Sequence, residues 1–401
     1  MDEECSHYDC RGKGRVSLTE FLPFHKPFIG EEEKQEILDT LETGWLTKGP
    51  KTKAFEKQFA EFLNIPFAVA TNSCTSALHL ALVALKIAPG DEVITTPVTF
   101  AATINVIEQC GAKPVFVDVE EDTLNINVDL IEKKITPKTK CIIPVHLAGK
   151  MCKMDKIMEI AQKHNLKVIE DAAHSIESDY KGVKPGQLSD AATFSFYPTK
   201  NITTGEGGML VTKSADLADR VERLALHGLD KDAWKRYSKE GYKHWEILEP
   251  GFKYHMCDIQ ASLGIHQLKR ISNFWKTRKE LTEFYNYAFL NMPEISPVKA
   301  YEDGKDAHHL YIVRLNPNAL KVSRDEFLNL MHKEGIGCGI HFYAIHLHYY
   351  YREKYKLTGT LPVAEKASSE ILSLPLYPLM TKEDASDVVR AVKKIVNLYR
   401  K

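Results

Sequence analysis

Asp171 closes the apolar run Lys167-Val-Ile-Glu-Asp171 and is followed by Ala-Ala-His174. A carboxylate at the carboxyl end of a strand sits where open α/β sheets gather ligands, although an aspartate there is equally suited to capping a helix. Further along, Ser195-Phe-Tyr-Pro-Thr-Lys200 sets a hydroxyl and a single lysine just beyond a second apolar run, and the glycines of Gly205-Glu-Gly-Gly208 free the backbone to turn closely. A lone loop lysine is ordinarily a solvated charge. With a carboxylate upstream, Lys200 becomes a candidate for imine formation. Thr71-Asn-Ser-Cys74-Thr75-Ser76-Ala77 reads as a strand-to-helix turn whose free N–H groups and dipole suit a phosphate, or as a capped helix without a ligand. Thr96-Pro-Val-Thr-Phe100 brings an aromatic that could stack on a flat cofactor or fill the core. Amine, carboxylate and anion contacts are together what pyridoxal phosphate requires of a protein.

The elements that must carry these groups alternate between short β-rich runs and helical periodicity, the pattern of a largely parallel sheet covered by helices. Strands are predicted at 67–71, 92–96, 114–118, 141–145, 167–171, 192–196 and 208–212, with helices at 75–86, 100–109, 128–134 and 154–164. A polar and aromatic stretch from His227 to Gly251 lacks periodicity, and loops of that length are usually functional or disordered. A long helix from Asp258 to about Tyr287 leads to a second unit. That unit has a strand at 310–315, a helix at 324–334, a His/Tyr-rich loop from His341 to Tyr351, and a closing helix from Lys382. The expected division is a tail over 1–20, a large domain over 21–265 and a smaller α/β domain over 266–401.

Composition excludes several classes. Fifty-three basic against 54 acidic residues leave a net charge of −1 with no basic run, so no nucleic-acid footprint appears. No stretch is long and apolar enough for a membrane span, and the acidic start Met1-Asp-Glu-Glu4 is unlike a secretory signal, which points to the cytoplasm. Eight scattered cysteines form neither a CxxC pair nor a disulfide framework, and Cys5-Ser-His7-Tyr-Asp-Cys10 lacks a second ligand cluster, so no metal is expected. A nicotinamide-dependent dehydrogenase would need G-x-G-x-x-G after the first strand, whereas Thr71-Asn-Ser-Cys-Thr-Ser has no glycine. A non-catalytic regulatory protein on the same fold is the other rival; retention of both Asp171 and Lys200 weighs against it.

The motifs Glu170-Asp-Ala-Ala-His174 and Ser195-Phe-Tyr-Pro-Thr-Lys-Asn201 are similar, in this order, to those of the DegT/DnrJ/EryC1/StrS sugar aminotransferases, which are pyridoxal-phosphate enzymes of the aspartate-aminotransferase fold. The resemblance extends over Pro27 to Glu33, Gly44 to Pro50, Gly251 to Ala261 and Gly335 to Phe342, leaving only the first twenty or so residues outside. It implies that Lys200 attaches the cofactor and shuttles the proton, and that Asp171 faces the pyridine nitrogen. By the same resemblance Thr75, Ser76 and Ser195 would bind phosphate, Phe100 would lie against the ring, and His174 would sit near its phenolic oxygen. Phe252 to Asp258, with His255, resembles the part that completes a neighbouring subunit's phosphate pocket, implying a homodimer with shared sites. Substrate contacts are expected from Arg236, Lys253, His341 and Tyr343, with His346 on the same loop. The implied reaction amines a nucleotide-linked keto-sugar, of the 4-keto-6-deoxy type, with L-glutamate as donor; C3 keto-sugars and cyclitol ketones are the alternatives. Relatives that dehydrate sugars carry histidine in place of the lysine, so Lys200 implies transamination.

Overall fold

In the computed structural model, residues 21–230 and 245–401 are described. Strands β1 (Phe67–Thr71), β2 (Glu92–Thr95), β3 (Lys113–Phe116), β4 (Thr139–Ile143) and β5 (Lys167–Asp171) join β7 (Ala191–Ser195) and β8 (Gly208–Thr212) in one sheet of order β1-β8-β7-β5-β4-β2-β3. The short β6 (Asp179–Tyr180) lies outside it. These strands read as continuous apolar runs because helices cover both faces.

Helices α1 (Glu31–Thr43) and α2 (Pro50–Leu63), which periodicity did not single out, precede the sheet. Phe55 and Phe59 of α2 pack against Phe194 and Phe196, holding the strand that leads to Lys200. Helices α3 (Cys74–Ala84), α4 (Ala101–Gln109), α5 (Val128–Ile131), α6 (Met154–Lys163) and α7 (Ala215–Leu224) complete the covering layers. The expected mostly parallel sheet carries one reversed strand, since β8 runs antiparallel to both β1 and β7. No helix lies between β7 and β8, whereas a parallel pairing needs a long crossover that a helix usually supplies.

Helix α8 (Asp258–Phe289) spans 32 residues. Near its start Gly264 meets the ring of Phe55, where a Cβ would fall 2.6 Å from the ring edge. Near its end Tyr285 and Phe289 enter a separate core with Phe327, Val388 and Val392. That second core packs on a three-stranded antiparallel sheet of β9 (Ile295–Pro297), β11 (Tyr311–Leu315) and β12 (Ile371–Leu374), while β10 (Gly304–Lys305) pairs with β6. Helices α9 (Arg324–Lys333), α10 (Tyr349–Tyr355), α11 (Pro362–Glu370) and α12 (Lys382–Tyr399) surround it. The His/Tyr-rich stretch is therefore a loop only to residue 348, and its last tyrosines open α10.

Candidate functional site

The carboxyl ends of β1, β5 and β7 converge on one edge of the large sheet. Register places Thr71 beside Gly208 and Gly208 beside Ser195, and one strand further Asp171 pairs with Thr193. Three strand ends thus deliver a phosphate-type turn, a hydroxyl and a carboxylate to the same cleft.

Asp171 is 6% exposed. Its Oδ2 accepts from Thr103 Oγ1 at 2.7 Å and its Oδ1 from the Ala173 N–H at 3.2 Å. Burial pushes its carboxyl above the ordinary range, against the pull of these two bonds and of Lys200. Lys200 follows the turn closed by its own N–H on Tyr197 O. Its amine has no hydrogen bond to a described residue, and burial lowers it to about 8, with Cys74 and Asp171 exerting smaller effects. An amine at 8 is about one-tenth neutral at pH 7, against less than about one part in a thousand for an ordinary lysine. A buried anion and a partly neutral amine, neither tied up in an ion pair among the described residues, are poised for a ligand with a cationic ring nitrogen and an electrophilic carbon.

Ser73 caps α3, taking the Ser76 N–H on its Oγ and the Ala77 N–H on its backbone oxygen. The N–H groups of Cys74 and Thr75 remain for an anion. Thr75 is exposed, whereas Ser76 is buried and its hydroxyl is engaged by Ser73 and Asn72. Ser195, also buried, accepts the Tyr197 N–H at 3.4 Å. Gly208 abuts this turn, and a Cβ there would lie 2.4 Å from Ser73 C and 2.5 Å from Cys74 N. The residues present therefore fit pyridoxal phosphate: an open helix N-terminus for the phosphate, a buried carboxylate for the ring nitrogen, and an amine under the electrostatic influence of both Cys74 and Asp171.

Phe100, 63% exposed, flanks the cleft and meets Phe342 at 6.0 Å. His174 stacks on Phe342 at 5.8 Å, and its Nδ1 accepts the Ala148 N–H at 3.2 Å. Burial, then the charges of Lys200 and His341, keep His174 well below the usual imidazole range. His341 is lowered to about 4 by burial and Lys200, exchanges a 2.9 Å hydrogen bond with Ser373 and stacks on Phe24. Asp171, His174, His341 and Lys200 are thus gathered in one electrostatic neighbourhood.

Other expected residues fall elsewhere or differ in surroundings. Tyr343 is 40% exposed and packs edge-on to His348. His346 turns away from the cleft into the packing, beside Phe116 and bonded to Glu365 at 3.2 Å. Lys253 is exposed, and His255 bridges to Thr71 of the same chain with its Nε2 3.3 Å from Thr47 Oγ1. Burial and then Lys253 hold His255 at about 4. Asp258 is structural, accepting from the backbone of Gly49, Lys51 and Thr52 to tie the start of α8 to that of α2. Arg236, with the segment around it, and the Cys5/Cys10 tail lie outside the described residues. Sequence reading missed Thr103, His25 and His309, whose partners are distant in the chain. Burial lowers His25 to about 4, with Arg278 and Lys200 adding to it.

Comparison with known proteins agrees with this geometry. The profile of the DegT/DnrJ/EryC1/StrS aminotransferase family matches residues 27–393. Among curated proteins, the spore coat polysaccharide biosynthesis protein SpsC of Bacillus subtilis is 47% identical over 378 residues, covering 94% of this chain and 97% of that protein. Among solved structures, the PLP form of Spr1654 from Streptococcus pneumoniae superposes with a TM-score of 0.88 at 32% identity, covering 94% of this chain and 99% of that one. Helicobacter pylori PseC, an aminotransferase involved in the biosynthesis of pseudoaminic acid, gives 0.88 at 30% identity over 95% and 100% of the two chains.

Proposed function

The chain belongs to the DegT/DnrJ/EryC1/StrS family and is a pyridoxal-phosphate-dependent sugar aminotransferase; from that premise we propose that it transfers the amino group of L-glutamate to C4 of a 4-keto-6-deoxy sugar carried on a nucleoside diphosphate. The observation that carries the site assignment is the unpaired, partly neutral amine of Lys200 in the same cleft as the buried Asp171 carboxylate.

Bound pyridoxal phosphate supplies an electron sink that makes loss of a carbon-bound proton accessible. In our reading Lys200 Nζ holds the cofactor and then moves the proton, which its lowered pKa suits to near-neutral conditions. Asp171, oriented by Thr103 Oγ1, keeps the ring nitrogen protonated. The N–H groups of Cys74 and Thr75, with the Thr75 and Ser195 hydroxyls, orient the phosphate, and Ser76 acts through Ser73 and Asn72. Phe100 would lie against the ring of the bound cofactor, and His174 presents Nε2–H because its Nδ1 is already an acceptor. His341 and Tyr343 face the sugar, and Lys253, Arg236 and His255 act on anionic groups at a site shared between two copies in a homodimer. Residues 21–265 and 266–401 act as large and small domains across α8. No described helix is long and apolar enough to cross a membrane, and we take the enzyme to work in the cytoplasm, in surface-polysaccharide synthesis.

The test is an assay of nucleotide-linked keto-sugars with L-glutamate, following 2-oxoglutarate release. Turnover with a 4-keto-6-deoxy sugar is expected. Turnover confined to 3-keto-sugars or cyclitol ketones would overturn the substrate assignment without touching the enzyme class.

A further inference from the structure

Next to Lys200 in sequence, Asn201 is 6% exposed and has every polar atom of its side chain engaged. Its Nδ2 donates to Glu177 Oε2 at 2.6 Å and to Ala307 O at 3.1 Å. Both partners are acceptors, so the amide cannot be flipped and Oδ1 must face His309 Nδ1, 2.8 Å away. An amide oxygen only accepts. His309 therefore carries its proton on Nδ1 and a lone pair on Nε2. Glu177 is in turn held by Arg278 of α8, each side chain 2% exposed.

His309 packs against His174 with ring centroids 4.3 Å apart and the ring planes inclined at 37°. Ala148, in the left-handed region at φ 59°, serves both residues: its N–H donates to His174 Nδ1 and its carbonyl accepts the backbone N–H of His309 at 3.2 Å. The next residue, Gly149, also at positive φ, has no room for a side chain, because a Cβ would come within 2.9 Å of Ala307 and 3.0 Å of His174 O. The two imidazoles are thus set in opposite tautomers, His174 with Nε2–H because the Ala148 N–H occupies its Nδ1 and His309 with bare Nε2 because Asn201 Oδ1 takes its Nδ1–H. Burial holds both well below the usual imidazole range.

We propose that Asn201 and His309 are positioning residues of the transamination: Asn201 locks the tautomer and plane of His309, and His309 holds the plane of His174 and the lysine-bearing turn, so that proton movement at Lys200 depends on an amide one residue away. Ala307 and His309 belong to the segment leading into β11, so the same contacts tie the lysine turn to the smaller sheet. The inference rests on the assignment of Lys200 as the cofactor-bearing amine.

The test combines a spectrum with two kinds of variant. Proton-coupled nitrogen NMR of 15N-histidine-labelled enzyme, with and without pyridoxal phosphate, should show neutral His309 protonated on Nδ1 and neutral His174 on Nε2. The same tautomer on both, or an imidazolium at neutral pH, overturns the proposal, and this measurement needs no variant of the network to fold. Asn201→Ala should mix the His309 tautomers and lower kcat about tenfold, the lower end of what loss of an orienting outer partner costs at metal sites, with KM for L-glutamate unchanged. His309→Phe, which keeps a ring on His174 but lacks the donor, should lose less than His309→Asn, which lacks the ring. Equal kcat for wild type and these variants overturns it. Borohydride trapping and peptide mapping on the same preparations separate the two readings: a label away from Lys200 sinks the lysine assignment, whereas a label on Lys200 with undiminished kcat sinks the positioning role alone.

Discussion

Lys48 and Lys200 are both lysines whose amines leave water, yet their protons are held in opposite ways. Lys48, 4% exposed as a side chain, lies 3.1 Å from Glu56 and 3.0 Å from Glu222. Burial alone would lower its pKa, but the two carboxylates outweigh burial and leave it above the ordinary value. At Lys200 burial wins, because Asp171 acts from beyond ion-pair distance and the amine has no direct partner among the described residues. Withholding a contacting carboxylate is what separates the lysine we propose as reactive from the structural one. The carboxylate that does sit in the cleft is turned to Thr103 and the Ala173 N–H instead.

The sharpest way to break this contrast is to remove each amine. Lys200→Ala should lower turnover by about 10³-fold or more, within the range a positioned acid–base group supplies, and borohydride should label Lys200 alone in the wild type. A label on Lys48 would reverse the comparison. Asp171→Asn should retain cofactor and lose about 100-fold in kcat, since a neutral amide does not hold the ring nitrogen protonated. In cofactor-free enzyme the same change has a second consequence. Asp171 raises the Lys200 pKa, so its removal should move the midpoint of Lys200 acylation, followed by mass spectrometry against pH, below the wild-type value of about 8. A midpoint that stays put or rises means that Asp171 is only a cap.

Much of the cleft was legible because its groups announce themselves locally. Asp171, Ser195 and Lys200 stand at or just past the ends of apolar runs, and the hydroxyl-rich strand-to-helix turn read over Thr71 to Ala77 is a helix start that Ser73 caps. What was not legible depends on contacts far apart in the chain. Thr103 meets Asp171 across 68 positions and His309 meets Asn201 across 108. His346 shares a loop with His341, but Glu365 and Phe116 draw it into the packing, which no spacing rule signals. The reversed β8 was likewise hidden, because an apolar run reads the same in either direction.

Lys48→Met tests the structural side. It leaves the largely buried Glu56 without its cation, and breaking such a pair costs about 3 kcal/mol, lessened here because Glu222 is half exposed and regains solvent. Urea unfolding should show the loss, while the Lys200 acylation midpoint stays near 8. A shifted midpoint would mean that the two regions are electrostatically coupled rather than independent.

The smallest effect is expected from Thr103→Val, and it probes the contrast most directly because it touches neither lysine. Thr103 Oγ1 is the side-chain donor that holds Asp171 Oδ2, and Thr99 Oγ1 lies 2.8 Å behind it. Valine has nearly the same shape but offers no proton, so the packing of α4 persists while the buried carboxylate loses a charge-assisted bond worth about 1.5 kcal/mol or more. Burial already pushes Asp171 upward, and Thr103 opposes it. Its loss should therefore raise the Asp171 pKa, weaken the hold on the ring nitrogen and lower kcat about tenfold. The sign of the pH effect follows: the acidic limb of kcat should move to higher pH in Thr103→Val, with KM for L-glutamate little changed. An unaltered limb would show that Asp171 is oriented by the Ala173 N–H alone and that the hydroxyl pair serves only the first turn of α4.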